Sequence, residues 1–320
     1  SKVAALSVVS RNTAFSFKGE TIDVPRVAEK TKVSHVLEGS VRKAGNRVRI
    51  TAQLIDASND AHLWADRFDR DLDDIFALQD EISEAVVAAL KLTLLPEEKK
   101  ALEHRSTTNP DAYKLFLMAR QFSVMGNERH QEIIIRLCKR AVELDPAYAQ
   151  PWATMAIAQW DMHRRSASED DGRAAAQKAI ELDPNLADAH AALGAAYQGI
   201  GEYENGLDAC MKAIQIDPGA YEGNRVAGMC CLALGRYSDA IQFFETASDS
   251  IRTEFVAASF VIQCYEAIGD AAGEQRAAKK ALERIEKVIA IEPDHGRALG
   301  YGAGCLARLG ESERAKDWIM

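Results

Sequence analysis

A proline that returns at a nearly fixed interval does most to limit what this chain can fold into. Each time it closes a short acidic phrase: Leu144-Asp145-Pro146, Leu182-Asp183-Pro184, Ile216-Asp217-Pro218 and Ile291-Glu292-Pro293, with Asn109-Pro110 in the same phase. From Pro110 the steps are 36, 38, 34 and 75 residues. The last resolves into one step of 34 to Arg252, where the proline is missing, and a lengthened one of 41. Proline has no backbone N–H and cannot continue a helix, so the period marks units that each end on a stop. A unit this short cannot bury its apolar face alone and must stack on its neighbours.

The units have a common content. In the one from Ala187 to Ala220, Leu193 and Tyr197 stand four apart on one helix face, and Gly194 removes a side chain where the paired helix passes. Gly199 and Gly201 flank the turn, and Pro218 stops the second helix. The next unit repeats this with Gly228, Gly235, Ala240, Phe244 and Ala247. The unit before carries Trp152, Met155, Ala176 and Ala179, with extra residues in an expected loop Asp161–Asp171. Phe116, Ile134, Cys138 and Ala141 mark the unit from Tyr113, and Tyr265 and Gly269 the unit from Phe255, whose second helix is expected to run long, through Ile291. A partial unit starts near Gly296. A 34-residue period of helical hairpins ending in proline is the tetratricopeptide repeat (TPR) signature. The sequence therefore predicts a TPR α-solenoid over residues 109–320, with about five repeats plus a partial one.

Residues 1–95 read as a small α/β domain, followed by a linker over 96–108 beginning at Pro96. Arg47–Leu54 alternates polar and apolar residues, as a half-buried strand does. Val36–Lys43 is strand-like before it, Ala44-Gly45-Asn46 supplies a hairpin turn, and Ala57–Asp60 turns the chain into a third strand, His62–Phe68. Upstream, Val24–Lys30 reads as a helix and Ser7–Arg11 as a strand. Downstream, Asp71 or Asp73 is placed to cap a helix bearing Ile75, Phe76, Leu78, Ile82, Val86 and Leu90. The expected fold is thus mainly α, a solenoid preceded by an α/β domain with an antiparallel meander.

Composition narrows the function classes. A net charge of −9 lacks the basic stripe of a nucleic-acid binder. No run of about 18 apolar residues is present to span a membrane, and the apolar stretch Val3–Val9 lacks signal-peptide flanks. The cysteines Cys138, Cys210, Cys230, Cys231, Cys264 and Cys305 have no CxxC spacing and fall in expected helices, which suits small buried apolar residues in a reducing compartment. A cytoplasmic location is expected.

The string from Val36 to Ala57, then His62-Leu-Trp-Ala-Asp-Arg-Phe-Asp-Arg-Asp-Leu72 and Ile75-Phe-Ala-Leu-Gln-Asp-Glu-Ile82, resembles the TolB-like N-terminal domain. In bacterial adenylate/guanylate cyclases that domain sits between a class III cyclase domain and a TPR array; a similar region occurs in some winged-helix transcriptional regulators. The resemblance covers about Ala4 to Leu95. It implies a regulatory, interaction-bearing region whose upstream partner is a cyclase domain. The family's domain normally opens with a further strand and helix, and the last residues, Lys316–Met320, read as helix, so a fragment of a longer protein is expected. Alternatives are the sensor region of a winged-helix regulator and a free-standing TPR scaffold, periplasmic if a signal peptide precedes it.

No constellation of residues reads as a catalytic or metal site, and no cofactor is implied. The histidines lack HxxxH or HExxH spacing, and His190 falls at a helix-packing position. Gly300-x-Gly302-x-Gly304 lies where a repeat's first helix should run, which favours small-residue packing over a phosphate loop. The acidic run Asp66, Asp69, Asp71, Asp73, Asp74 is interleaved with Arg67 and Arg70 at an expected strand-to-helix junction, where capping accounts for it. The metal-binding aspartates and Asn/Arg pair of class III cyclases belong to a domain this chain does not contain.

The remaining candidate is a binding groove. In TPR arrays it is lined by the second, fifth, ninth and twelfth residues of each first helix. Those positions are Gln150, Ile157 and Trp160; Asp188, Ala195 and Gln198; Glu222, Arg225 and Met229; and Gln263 and Glu266. Trp160 is either an aromatic anchor for a partner or a residue packed against the loop that follows it. The Lys/Asn carboxylate clamp of chaperone-binding TPR proteins is missing. The mixture of charges suits a polar or basic segment of a protein or peptide partner, and a homodimer is a further alternative.

Overall fold

A computed structural model describes residues 24–45, 47–71, 75–91, 106–125, 130–165, 168–250 and 254–318, with isolated positions before them. These residues group into two compact units divided between Asp111 and Ala112.

The first unit is an antiparallel meander with two helices. The elements are α1 (Val24–Thr31), β1 (His35–Ala44), β2 (Arg47–Asp56), β3 (Ala61–Asp71) and α2 (Ile75–Ala89), with sheet order β1-β2-β3. Pairing sets Val41 beside Ile50 and Ile50 beside Phe68, and Leu37 beside Leu54 and Leu54 beside Trp64. Alternation thus gathers Val48, Ala52 and Phe68 on one face, where Leu78 of α2 is fully buried among them. α1 packs Val24 and Ala28 against Val36, Ile55 and Ala57.

Strand β3 runs further than the expected His62–Phe68. Asp66, Asp69 and Asp71 of the acidic run are strand residues rather than helix caps, and Asp69 is gripped across the sheet by Arg47 at 2.9 Å and Arg49 at 2.7 Å. Asp73 and Asp74, Pro96 and most of the expected strand Ser7–Arg11 lie outside the described residues. A register shift between Leu54 and Ile55 pairs Ile55 with His62 and leaves Leu63 exposed.

The second unit is a TPR-like array of helical hairpins. In chain order they pair α3 (Pro110–Met125) with α4 (Gln131–Leu144), α5 (Ala149–Arg164) with α6 (Arg173–Leu182), α7 (Ala187–Gly199) with α8 (Tyr203–Ile216), and α9 (Tyr221–Ala233) with α10 (Tyr237–Ser250). They continue with α11 (Val256–Ile268) and α12 (Ala271–Ile291), then α13 (Gly296–Arg308) and the short α14 (Ser312–Asp317). The core is made of small side chains. Ala192, Ala195, Cys210, Ala213, Val226, Cys230 and Ala247 all have no exposed surface, so helix axes approach closely.

The acidic phrase before each proline has a physical role. Proline drives the residue before it out of the helical region, and Asp145, Asp183, Asp217 and Glu292 take φ from −144° to −131° with ψ between 86° and 100°. Each aspartate carboxylate then accepts the N–H two residues on, from Ala147 (3.1 Å), Asn185 (3.0 Å) and Gly219 (3.0 Å). The backbone carbonyls of Asp145, Asp183, Asp217 and Glu292 accept from Tyr148, Leu186, Ala220 and His295 at 3.0–3.2 Å. The proline carbonyl is captured as well. Trp152 Nε1 donates to Pro146 at 3.2 Å, His190 Nε2 to Pro184 at 2.8 Å and Asn224 Nδ2 to Pro218 at 3.0 Å.

The irregular repeats have local causes. The segment expected as a loop from Asp161 is helical as far as Arg164, and α6 starts only at Arg173, so it is 10 residues long against 14 for α4, α8 and α10. The position of the missing proline, Arg252, lies outside the described residues. On either side of it, Arg284 of the 21-residue α12 reaches back to the carbonyls of Ser248 and Glu254 and to Asp249.

Close helix approach makes one substitution pair diagnostic. A Cβ on Gly194 would lie 2.4 Å from Cys210 Sγ and 2.8 Å from the Gly206 carbonyl, whereas one on Gly300 meets nothing within 4 Å. Gly194→Ala is expected to cost about 1–3 kcal/mol in urea unfolding, and Gly300→Ala to gain about 0.5–1 kcal/mol. Equal effects at the two positions would contradict the packing described.

Candidate functional site: the first-helix face around Trp160

The first helices α5, α7 and α9 pack in succession, and their shared face draws part of the expected residue set together. Trp160, on the last turn of α5, is 1% exposed. Its Nε1 donates to Gln198 Oε1 of α7 at 3.3 Å, and a Cβ on Gly199 would lie 3.0 Å from its ring. From α9, two repeats further along, the Arg225 guanidinium stacks 5.0 Å from the ring centroid, and Arg164 stacks at 5.4 Å from α5 itself. One indole thus binds three successive first helices. The tryptophan weighed as an anchor or as packing for the segment after it is a buried floor, in contact with the next two repeats and with Arg164 of that following segment.

Around this floor lies a dense ionic layer. Arg225, with 11% of its side chain exposed, gives two N–H groups to Glu222 and approaches Met229 Sδ at 3.6 Å. Burial opposes the Arg225 charge, but the Glu222 carboxylate beside it more than compensates, and its pKa rises. Asp161, 12% exposed, is shared by Arg164 at 3.5 Å and Arg165 at 3.1 Å. Arg164 is pushed the other way: burial lowers its pKa, Asp161 resists, and the charges of Arg225, Arg165 and Arg297 lower it further. Tyr221, beneath Arg225, donates to Glu254 at 3.0 Å. The Glu254 carboxylate in turn accepts the first N–H groups of α11, from Val256 and Ala257.

The other expected residues fall elsewhere. Ile157 is half-buried and packs between two core clusters, and Ala195 is fully buried. Gln150 is half-buried and Asp188 exposed. Gln263 and Glu266 are exposed on α11, and Glu266 is paired with Arg308 at 2.9 Å. The repeat positions used in sequence reasoning missed Asp161, Arg164, Arg165 and Arg297. The first three lie where α5 runs an extra turn, in a polar stretch that reads as loop.

His190 holds a proline carbonyl, as above, and Gly302 lets Trp318 and Ile285 lie against α13. All six cysteines are buried and unbridged. Burial pushes the thiols up, Cys138 to about 12 and Cys264 and Cys305 to about 11.

The tetratricopeptide repeat family model matches residues 175–207. The chain is 39% identical over 206 residues to "Putative adenylate cyclase 3" of Rhizobium meliloti (strain 1021), a match covering 61% of this chain and 34% of that protein. The chain thus spans about a third of the length of that curated relative. Among solved structures, MamA is 21% identical over 50% of this chain and 88% of its own, with a TM-score of 0.36. TTC0263, a thermophilic TPR protein of Thermus thermophilus, is 17% identical over 59% of this chain and 98% of its own, with a TM-score of 0.46. PilW, a type IV pilus biogenesis factor, is 16% identical over 66% and 91%, also at 0.46. Among the described residues no helix is long and apolar enough to cross a membrane.

Two outcomes follow from burial. Trp160→Ala is expected to destabilise the array by about 3–5 kcal/mol in chemical unfolding. At pH 8 a thiol reagent is expected to modify the six cysteines only after unfolding in urea. Rapid labelling of the native chain would show the hairpin core to be open.

Proposed function

We propose that this chain is the non-catalytic regulatory and protein-interaction region of a bacterial adenylate/guanylate cyclase, and that it captures a protein or peptide partner on the first-helix face of its TPR array. The α/β unit is read as a TolB-like domain that links the array to a cyclase domain elsewhere in the parent protein, in the cytoplasm. What supports the cyclase link is the 39% identity over 206 residues to a protein named as an adenylate cyclase, together with the order of an α/β meander followed by TPR hairpins. What supports the scaffold role is the site itself. It offers a wall of ionic and polar groups on the adjoining first helices α5, α7 and α9.

The mechanism is binding-energy transfer. A solenoid contacts only its neighbours along the array, so a partner that spans several first helices stabilises their mutual geometry and alters what the far end presents to the parent. The parent protein is expected to form cyclic nucleotide from ATP or GTP while this chain alone forms none. A parent inactive with both substrates would remove the cyclase reading. In affinity capture, Asp188→Lys and Gln263→Lys, both at exposed positions, are expected to weaken the retained partner by about tenfold. Unchanged capture in both would remove the first-helix face from consideration.

A further inference from the structure

Where α4, α8 and α10 run 14 residues, α6 starts only at Arg173 and runs 10. The connection through Ser168 and Asp170 takes the place of the missing turn, and a cleft of about 590 Å³ opens between it, the end of α5 and α4. That volume falls within the roughly 300–1,000 Å³ of small-molecule sites. Its wall holds an unsatisfied acceptor. Gln159 of α5 lines the cleft, is 6% exposed, and donates from Nε2 to Asp170 Oδ2 at 2.6 Å. An ionised carboxylate only accepts, so this bond fixes which way the amide points. Gln159 Oε1 is then left buried without a hydrogen-bond partner among the described residues, whereas buried polar atoms are nearly always paired. The connection spends its own groups elsewhere: Asp170 Oδ1 accepts the Gly172 N–H and Ser168 Oγ the Asp170 N–H, both at 3.1 Å. On the α4 side, Arg140 is paired with Glu143 at 2.8 Å. Arg136 and Lys139, three apart and so neighbours on one helix face, are exposed and hold no ion pair or hydrogen bond among the described residues. Glu132, one turn before Arg136, is likewise unpaired, so charge alone does not select a ligand here; the buried acceptor does so together with the two adjacent cations.

We propose that this cleft is a small-molecule site for a hydroxylated phosphate monoester, its phosphate held by Arg136 and Lys139 and one of its hydroxyls donating to Gln159 Oε1. A phosphate offers three acceptor oxygens, enough for the Arg136 fork and the Lys139 ammonium together. A bare anion leaves the Gln159 oxygen unpaired, and a neutral polyol leaves both cations without a partner. Only a ligand carrying both groups meets the wall on both sides. The site is independent of the first-helix face, because the cations stand on α4, a second helix. A ligand there joins the first hairpin of the array to the connection inside the second, which gives the region a chemical input separate from its protein partner.

The test is calorimetric titration of the intact chain at physiological salt with glycerol 3-phosphate, inorganic phosphate, glycerate and glycerol as probes. Glycerol 3-phosphate is expected to bind with a Kd of about 1 mM or tighter, inorganic phosphate and glycerate at least about tenfold more weakly, and glycerol not at all. Arg136→Gln and Lys139→Gln are each expected to weaken glycerol 3-phosphate by about tenfold while keeping the wild-type urea midpoint, because neither side chain holds a polar contact. Gln159→Met, close in size but without the amide, is expected to bring glycerol 3-phosphate down to the affinity of inorganic phosphate. The two exposed variants decide the matter if Gln159→Met does not fold. Glycerol 3-phosphate is also expected to raise the urea midpoint of the wild type and not that of Arg136→Gln. No binding of glycerol 3-phosphate up to about 10 mM, or binding indifferent to Arg136→Gln and Lys139→Gln, overturns the proposal. Inorganic phosphate or glycerate binding as tightly as glycerol 3-phosphate overturns it as well.

Discussion

Every hairpin in the array depends on how its predecessor is brought to an end. Pre-proline geometry makes the residue after α4, α6, α8 and α12 extended, and that change of direction frees carbonyls which would otherwise need water. The chain satisfies them from both sides of the turn. The aspartate carboxylate takes the N–H two residues ahead, its carbonyl takes the N–H three ahead, and a side chain on the first turn of the next helix takes the proline carbonyl. The new helix is therefore aimed before its apolar face meets anything. Because the turn is nearly the same each time, successive first helices arrive on one side, and a face such as that around Trp160 can be built from residues far apart in sequence.

How much of this was legible depended on whether the signal was local. The proline period, the long α12 and the close approach at Gly194 are written in residues whose effects reach a few positions, and the structure carries them. The proline-carbonyl donors were not legible, because Trp152, His190 and Asn224 share no chemistry beyond one N–H at the right place. The extra turn of α5 was missed for a related reason. Asp161, Arg164 and Arg165 are polar and read as loop, but they are held as helix by an indole floor and a shared carboxylate. In the first unit, alternation located the meander, while Asp69 could be assigned to Arg47 and Arg49 rather than to a helix cap only once strand register was known.

The same contrast explains the site. Sequence positions chosen by repeat arithmetic recovered Trp160, Gln198, Glu222, Arg225 and Met229, all within one contact network. They could not recover its charge balance, because arginines from irregular positions contribute to it. An array of identical repeats would present the same side chains at each step. Here the lengthened first helix adds Asp161 and its paired Arg164 and Arg165 at a single level, so the irregular repeat is the one that gives the face a distinct chemistry.

At the joint after α10 the array changes from local to remote closure. At the proline turns the capturing side chain lies six positions on, and each hairpin can be ended before the next has formed. Here the carbonyls of Ser248 and Glu254 are held by Arg284, 36 and 30 residues downstream. This junction is therefore tied to the second helix of the following hairpin, as well as locally through Glu254, whose carboxylate accepts the first N–H groups of α11. Mechanically it is a latch set from the far side. The apolar core runs on across it, from Phe244 and Ala247 of α10 to Phe255, Ala258 and Val261, and Phe244 stacks on Phe260 of α11, so the latch closes over a seam that is already packed.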